Sequence, residues 1–251
     1  MIAYQLDDGI ARLTLSVPPL NILTRAVLLE LRTALGNVQQ DTSVRVLLLA
    51  AEGKHFSAGA SVEEHMPPEH DRLLADFGAT VLALYDFPIP VIAAVQGRCL
   101  GGGFELVQAA DMIVAAEDAQ FAQPEILLGV FAPVACALLP RRVGAARAAE
   151  LLFTGDPLNA QEAAAAGLVT RVVPRQALEE EALVLARRMA RHSAVALRLT
   201  KQALRAAAGA SAAAGIASAN STYTQDLMRT FDALEGLHAF VQKRPPQWSH
   251  Q

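Results

Sequence analysis

The chain has 251 residues, of which 53% are hydrophobic and 18% charged, and its formal net charge is −4. This length is enough for one large hydrophobic core, or for a domain with an appendage. The longest apolar runs fall well short of the roughly 20 residues that cross a bilayer, so we expect no membrane span. The small negative charge argues against broad electrostatic attraction to nucleic acid or to an anionic membrane surface.

The first residues and the cysteines bear on the cellular compartment. Met1 to Gln5 have neither the basic and apolar regions of a secretion signal nor the composition of a transit peptide, which predicts a cytoplasmic location. Only Cys99 and Cys136 occur, each among apolar neighbours. This predicts two small core residues rather than a disulfide framework or a metal site. The histidines have no spacing typical of a metal site, so we expect no metal.

The chain begins with a predicted hairpin followed by a helix. Two alternating apolar runs, Ile2 to Leu6 and Ile10 to Ser16, flank a turn signal at Asp7 to Gly9. Asn21 or Thr24 is then positioned to cap a helix. The apolar face of that helix is indicated by residues three and four apart, namely Leu28, Leu31, Leu35 and Val38.

The middle of the chain alternates between strands and helices. Strands are predicted over 44–50, 91–95, 112–116 and 168–173, and a helix over 69–85 lies between the first two. Strand, helix and strand in succession imply a mainly parallel sheet, so the fold class is α/β.

The remainder of the chain has helical patterns and no strand signal. Segments rich in Ala, Leu and Arg cover 179–208, and a further helical segment covers 222–241. The last segment presents an apolar face that needs a partner surface, formed by Met228, Phe231, Leu234, Leu237 and Val241. We therefore predict an α/β core over 1–174 and a C-terminal helical oligomerisation region over 175–251.

A glycine triplet, Gly101 to Gly103, stands between the predicted strand over 91–95 and a helix that begins near Gly102. Glycines at this position let the chain turn tightly and bring bare N–H groups against a ligand. The start of the helix presents positive partial charge, and Glu105 lies in its first turn. A second isolated carboxylate, Glu125, follows twenty residues later. The pattern indicates backbone donors and two glutamates around one reacting carbonyl.

Seven short signatures occur in order along the chain: Pro19-Leu20-Asn21, Phe56 to Ala60, Gly101 to Glu105, Phe121 to Gly129, Leu152 to Gly155, Ala166 to Val169, and Glu235-Gly236 through Lys243-Arg244. A glycine triplet before a helix would by itself indicate only a tight turn. With the whole set, the chain resembles the enoyl-CoA hydratase/isomerase family, also called the crotonase family, almost from end to end.

The resemblance implies a spiral of strand-strand-helix units and a thioester substrate carried on coenzyme A. It implies an oxyanion hole formed by the N–H groups of Ala60 and Gly102. It also implies that Glu105 and Glu125 hold a water between them for acid and base catalysis, which makes the protein a hydro-lyase. No separate cofactor is expected, because coenzyme A is part of the substrate.

The resemblance also implies residues that contact coenzyme A: Ala58, Ala60, Ser61, Val62, Glu63, Gly102, Phe240 and Lys243. Of these, Phe240 and Lys243 are predicted to reach the active site of a neighbouring copy. The family implies a homotrimer or a dimer of trimers, with no nucleic-acid or membrane partner.

The chain departs from the common family pattern at three places, the first being Pro18-Pro19, which stand where a basic residue often precedes Leu-Asn. Ser61 stands where many hydratases carry Asp, and the segment 130–137 replaces a glycine-rich stretch that borders the acyl pocket. The run from Ala60 to His65, together with Phe131 to Pro133, resembles dienoyl-CoA hydratases that act on cyclohexadiene carboxyl thioesters. His65 is either a solvated loop residue or a participant in that chemistry.

Two alternatives to hydration remain at the level of sequence. An enoyl-CoA isomerase shifts a double bond with one carboxylate, and the presence of both Glu105 and Glu125 favours hydration over this reaction. A noncatalytic CoA-binding or assembly protein would keep the fold with a changed cleft, as the segment 130–137 suggests. Such a protein is expected to lose one of the glutamates, and neither is missing.

Overall fold

The computed structural model describes residues 1–251. Its nine strands are β1 (Ile2–Asp7), β2 (Ile10–Leu15), β3 (Val46–Ala51), β4 (Val91–Val95), β5 (Arg98–Leu100), β6 (Met112–Ala116), β7 (Gln120–Ala122), β8 (Leu158–Asn159) and β9 (Arg171–Val173). Its ten α-helices are α1 (Arg25–Gln40), α2 (His70–Tyr85), α3 (Gly102–Gln108), α4 (Pro133–Val143), α5 (Ala145–Thr154), α6 (Ala160–Ala165), α7 (Leu178–Ala190), α8 (Ala194–Ala207), α9 (Ala212–Ser221) and α10 (Phe231–Val241).

The main sheet has six strands in the order β1-β2-β3-β4-β6-β9. The hairpin of β1 and β2 is antiparallel, and every later pair in this sheet is parallel. A smaller sheet contains β5, β7 and β8. Parallel neighbours need a crossover between them, and the helices supply it. The predicted α/β class and the opening hairpin are therefore confirmed.

Both faces of the sheet are buried over its central strands β3, β4 and β6, which explains their nearly continuous apolar sequences, whereas the edge strand β1 is exposed. One face packs against α7, where Leu48, Ile92 and Val114 lie in one apolar cluster with Ala182. The other face belongs to the larger cluster that includes α1, α2 and α3. Alternate residues of each strand point to opposite faces, so each strand serves both clusters.

Several predicted boundaries were wrong. The strand predicted over 168–173 begins only at Arg171, because the N–H groups of Leu168 and Val169 donate to Ala163 O and close the end of α6. The helical segments predicted over 179–208 are α7 and α8, and Ser193 caps α8 by accepting from Ala196 N. The segment predicted over 222–241 starts with a π turn and a 3₁₀ turn, so Met228 lies outside α10.

The prediction of two core cysteines was half wrong. Cys99 is fully buried in β5, whereas Cys136 is exposed on α4. The apolar residues around Cys136 in the sequence include the buried face of the amphipathic helix α4, and Cys136 lies on the opposite, exposed face. The small sheet was also missed, because its strands have only two or three residues each. Runs of two or three residues are too short to show the apolar alternation that indicates a strand.

A buried charge network attaches the C-terminal helices to the main sheet. Lys201 of α8 is 7% exposed, and its ammonium lies 2.7 Å from Asp111 Oδ2 and donates to Ile89 O. Asp111 also pairs with Arg205 and accepts from Val91 N at the start of β4. Burial lowers the pKa of Lys201, and the charge of Asp111 opposes that effect. The boundary at residue 174 stays a prediction, although only helices follow β9.

No helix is both long and apolar enough to cross a membrane. The surface of α10 is nevertheless apolar, and its exposed side chains include Phe231, Leu234, Leu237, Phe240 and Val241.

Replacing Asp111 with Ala removes the partner of a buried ammonium group. We expect Asp111→Ala to lower the free energy of unfolding by about 3 to 5 kcal/mol, because Lys201 is left charged and unpaired in the interior. Urea unfolding followed by circular dichroism measures this loss. Asp226 is exposed and makes no side-chain hydrogen bond or ion pair, so Asp226→Ala is the matched control. Equal, small effects of both changes would contradict the role assigned to Asp111.

Candidate active site

A cavity of about 540 Å³ opens between α2, α3 and the N-terminus of α4. Most of the residues that line it are apolar, including Leu73, Phe77 and Val81 of α2. Its ionisable lining side chains are His65, Tyr85, Glu105 and Glu125. Two carboxyl groups therefore share an apolar space in which charge is poorly solvated.

The backbones of Ala60 and Gly102 meet at one wall of this cavity. Leu23 N donates to Gly59 O and Ser61 N donates to Leu23 O. Since successive N–H groups of an extended chain point to opposite sides, the N–H of Ala60 points away from Leu23. Gly102 lies on that other side, where a Cβ atom on it would lie 3.0 Å from Ala60 N.

Neither of these N–H groups is used by the protein's own secondary structure. Ala60 N has no hydrogen-bond acceptor in the protein. Gly102 is the first residue of α3, and the first N–H groups of a helix have no intrahelical acceptor. Two backbone donors are thus available to one ligand oxygen.

Two sets of hydrogen bonds hold this arrangement in place. Ser57 N donates to Arg98 O, and Leu100 N donates to Ser57 O, so the chain before Ala60 runs beside β5. Asn21 was predicted as a possible helix cap, but Thr24 caps α1. Asn21 instead ties loops together: its side chain donates to two backbone carbonyls, and its own carbonyl accepts from Ser57 Oγ.

Glu105 is positioned by the first turn of α3 and is almost fully buried. Ala135 N, at the start of α4, donates to Glu105 Oε1 at 3.0 Å. Burial raises the pKa of Glu105 to about 7, and the charge of Glu125 adds to the rise. Hydrogen bonds from α4 oppose it, since they favour the ionised form. Glu105 therefore exchanges its proton near neutral pH.

Glu125 lies in a 3₁₀ turn, Pro124–Leu128, that directly follows β7. A Cβ atom on Gly101 would fall 2.6 Å from Glu125 Oε1, and the φ of Gly101 is +49°. Only glycine meets both conditions at position 101. Burial raises the pKa of Glu125, and a hydrogen bond from the backbone and, more weakly, the charge of His65 oppose that rise. Its Oε2 atom is buried without a hydrogen-bond partner.

The predicted coenzyme A residues divide into two groups. Ala58, Ala60, Val62 and Gly102 line the cavity. Ser61 and Glu63 lie outside its lining: Ser61 is buried and accepts from Glu64 N, and Glu63 is exposed. Phe240 and Lys243 are exposed and do not line the cavity of the same chain. Contact of any of these residues with coenzyme A stays a prediction.

His65 lies on the cavity, a placement that sequence reasoning left open. Its polar neighbours in sequence suggested a solvated loop, and its side chain is indeed exposed to solvent although it also lines the cavity. The sequence analysis did not identify Gln123. This residue precedes Pro124-Glu125, is 1% exposed, and its side-chain amide has no hydrogen-bond partner.

The arrangement can carry out two chemical tasks at one place. Paired N–H donors stabilise negative charge that develops on a ligand oxygen. Two carboxyl groups with different proton affinities can take up and release protons beside it. No group of three or more His, Cys, Asp or Glu side chains is arranged to hold a metal ion.

Comparison with known proteins gives consistent matches over the whole chain. The family model described as enoyl-CoA hydratase/isomerase matches residues 5–251. The chain is 40% identical to cyclohexa-1,5-dienecarbonyl-CoA hydratase of Thauera aromatica, with 98% of this chain and 95% of that protein covered. It is 39% identical to 2,3-dehydroadipyl-CoA hydratase of Escherichia coli, over 94% and 93%. The crystal structure of an enoyl-CoA hydratase from Bacillus anthracis superposes with a TM-score of 0.94 at 34% identity, over 100% and 99%.

Burial of Glu105 has a cost in stability that depends on pH. The folded protein keeps this group protonated up to about pH 7, whereas its ordinary pKa is 4.5. The contribution of Glu105 to the free energy of unfolding is therefore fully present below pH 4.5 and is lost as the pH rises through about 7. At about pH 8 we expect Glu105→Gln to be more stable than the parent by up to about 3 kcal/mol, since Gln cannot ionise.

Thermal and urea unfolding over a range of pH measure this difference, which is expected to vanish near pH 4.5. Glu117 is exposed and makes no side-chain hydrogen bond, so Glu117→Gln is the control and is expected to leave stability within about 0.5 kcal/mol of the parent. A Glu105→Gln protein less stable than the parent at high pH would contradict the burial argument.

Proposed function

Because the chain belongs to the enoyl-CoA hydratase/isomerase family, we propose that it is a hydro-lyase that adds water across a conjugated double bond of an enoyl-CoA or dienoyl-CoA thioester. The observation that carries this proposal is the meeting of two free backbone N–H groups, the buried carboxyl group of Glu105 and the half-buried carboxyl group of Glu125 on one apolar cavity. Hydration needs all four groups, whereas a double-bond shift needs one carboxylate. The named relatives at about 40% identity are hydratases, which supports the same reaction.

The N–H groups of Ala60 and Gly102 form the proposed oxyanion hole. They would both donate to the thioester carbonyl oxygen and draw electron density away from the conjugated double bond. Charge on that oxygen grows as the enolate forms, so these hydrogen bonds strengthen in the transition state. Loss of one such donor typically costs about 3 to 4 kcal/mol in acyl-transfer sites.

Glu105 and Glu125 perform the proposed proton transfers. In the resting enzyme the pair holds one proton, which Glu105 retains because its pKa is raised to about 7. The oxygen of a bound water attacks the β-carbon, and its proton passes to the ionised Glu125. The electron pair of the double bond moves into the enolate, and Glu105 delivers its proton to the α-carbon. One water is added, and after product release a proton passes from Glu125 to Glu105 by exchange with solvent, which restores the resting pair.

A compact, ring-bearing dienoyl group is the proposed acyl class. The cavity wall includes the apolar residues Leu128, Val130 and Phe131, all more than half exposed toward its opening. The Thauera aromatica relative is named for a cyclohexadiene carbonyl substrate. The Escherichia coli relative is named for a dehydroadipyl substrate, whose distal carboxylate needs a cationic partner. The lining of this cavity contains no Lys or Arg, which favours the uncharged ring.

Coenzyme A enters as part of the substrate, and no separate cofactor is proposed. We further propose that the exposed apolar face of α10 packs against another copy in a trimer or a dimer of trimers. Phe240 and Lys243 lie on or beside that face, away from the cavity of their own chain. This placement fits the prediction that they reach a neighbouring active site.

Glutamine substitution of each carboxyl group tests the reaction directly. We expect Glu105→Gln and Glu125→Gln each to lower kcat about 10² to 10⁴-fold, because a positioned proton donor or acceptor is removed. The assay follows loss of conjugated thioester absorbance with crotonyl-CoA and a cyclohexadienoyl-CoA, and mass spectrometry records the gain of one water. Faster turnover of the cyclohexadienoyl ester is expected.

The exposed Glu117→Gln variant serves as the control and is expected to keep the parent rate. A spectral change without added mass would instead establish the isomerase reaction. Absence of any change with both esters, in a protein that still binds them, would support the noncatalytic alternative and refute hydration of these substrates.

The pH dependence of kcat/KM tests the protonation state of the pair. This ratio reports the free enzyme, in which Glu105 must hold its proton to serve as the acid. We therefore expect kcat/KM to fall as the pH rises through about 7. Rates are measured by stopped flow between about pH 6 and about pH 9, with circular dichroism showing that the fold persists. A profile that stays flat to the upper limit would rule out Glu105 as the proton donor.

A further inference from the structure

Tyr85 lines the active-site cavity at a distance from the proposed oxyanion hole. Phe77 of α2 lies beside that hole, since a Cβ atom on Gly102 would fall 3.1 Å from Phe77 Cε2. Tyr85 is the last residue of α2 and follows Phe77 by eight residues, which is about 12 Å along a helix axis. Tyr85 is therefore placed to meet the far end of an acyl group whose carbonyl oxygen lies at Gly102.

A cluster of cationic side chains lies behind Tyr85, outside the cavity. The guanidinium carbon of Arg205, on α8, is 3.7 Å from the centre of the Tyr85 ring. Arg205 Nη2 donates to Asp111 Oδ1 at 2.9 Å, and Lys201 pairs with the other oxygen of the same carboxylate. Arg142, near the end of α4, donates to the backbone carbonyl of Asp111. Three cationic side chains thus surround one carboxylate, and the positive charge exceeds the negative.

A second cavity, of about 510 Å³, lies on the other side of Arg205. Arg198, Lys201 and Arg205 line it, and Asp86 is the one carboxylate in its lining. Neither Lys201 nor Arg205 lines the active-site cavity, and Tyr85 does not line the second cavity. The contact between the Tyr85 ring and the Arg205 guanidinium therefore separates an apolar cavity from a cationic one.

We propose that Tyr85 is a specificity-determining residue, because its ring shields the Arg205 cation from the far end of the acyl group. The proposal rests on the proposed function and concerns the end of the acyl group rather than the reacting bond. With the ring in place, an acyl group meets an aromatic face, which suits a hydrocarbon terminus. A terminal carboxylate would lose its hydration there and gain no cationic partner. The site thus accepts acyl groups with an uncharged end and excludes those with a terminal carboxylate.

The position of Arg205 does not depend on the Tyr85 ring alone. Its ion pair with Asp111 fixes the guanidinium group from the other side. Asp111 is itself held, because its carboxylate accepts from Val91 N and pairs with Lys201. Removal of the ring is therefore expected to leave the guanidinium in place and to open it to the cavity, where it can pair with a carboxylate.

Paired saturated thioesters test the proposal without a chemical step. Hexanoyl-CoA and adipyl-CoA have the same number of acyl carbons, and only adipyl-CoA has a terminal carboxylate. Octanoyl-CoA and suberyl-CoA form a longer pair of the same kind. Dissociation constants are measured by isothermal titration calorimetry on the full chain. We expect the parent to bind the uncharged member of each pair at least about tenfold more tightly.

Substitutions on both sides of the contact separate the ring from the cation behind it. Tyr85→Ala is expected to reduce the preference for the uncharged member at least about tenfold, because the terminal carboxylate gains Arg205 as a partner. Adding Arg205→Met to Tyr85→Ala is expected to abolish this gain, since Met lacks the charge. Tyr85→Phe keeps the ring and is the matched control, with the parent preference expected.

Circular dichroism establishes that each variant is folded, and Tyr85→Leu replaces Tyr85→Ala if the latter does not fold. An unchanged ratio of the two dissociation constants in the ring-deleted variant would overturn the proposal. Equal weakening of both members, which a purely structural role predicts, would overturn it as well. A gain that persists with Arg205→Met would assign it to another group and refute the role of Arg205.

The outcome is distinguishable from that of the proposed hydration, because saturated thioesters have no double bond to hydrate. A shifted ratio supports the specificity proposal even if no enoyl or dienoyl thioester is turned over. An unmoved ratio refutes it even if hydration is established.

Discussion

The close approach of two backbone segments, at Ala60 and at Gly102, is the constraint on which the rest of the site depends. The chain before Ala60 bonds to β5, and the residues on either side of Ala60 bond to Leu23. These bonds leave the N–H of Ala60 directed at the start of α3. A side chain at Gly102 would press on the Ala60 backbone, and one at Gly101 would collide with Glu125. The glycine triplet thus brings the two N–H groups together and also makes room for the Glu125 carboxyl group.

The carboxyl pair carries an electrostatic cost that the remainder of the fold must offset. Glu105 is buried by α3 and the start of α4, and its raised pKa is the direct result. Such a group weakens the folded state at neutral pH while making the proton available for chemistry. The two apolar clusters on the faces of the main sheet supply the opposing stabilisation. The paired charges of Asp111 and Lys201 link the C-terminal helices to the same sheet.

Charge and apolar surface are separated within the cavity. The glutamates lie at the end formed by α3 and the turn after β7, whereas the wall toward α4 is apolar and includes Phe131 and Val134. This separation suits a substrate with one polar thioester and one hydrocarbon ring. Glu105 is the more deeply buried of the two glutamates, and burial is the main cause that raises the pKa of each. Two identical side chains thereby acquire different proton affinities.

The sequence by itself determined the elements whose pattern is local. The hairpin, the buried face of α1, and strands β4 and β6 follow from apolar spacing and turn residues, and the structure confirms them. The order of family signatures pointed to Glu105 and Glu125, whose catalytic roles stay predictions. Tertiary structure alone decided that Cys136 faces outward, that strands of two or three residues form a second sheet, and that His65 reaches the cavity. It also decided the pKa of Glu105. The physical reason is that burial, ion pairing and electrostatic interactions depend on contacts between residues far apart in the chain. The local spacing of apolar residues contains no information about such contacts.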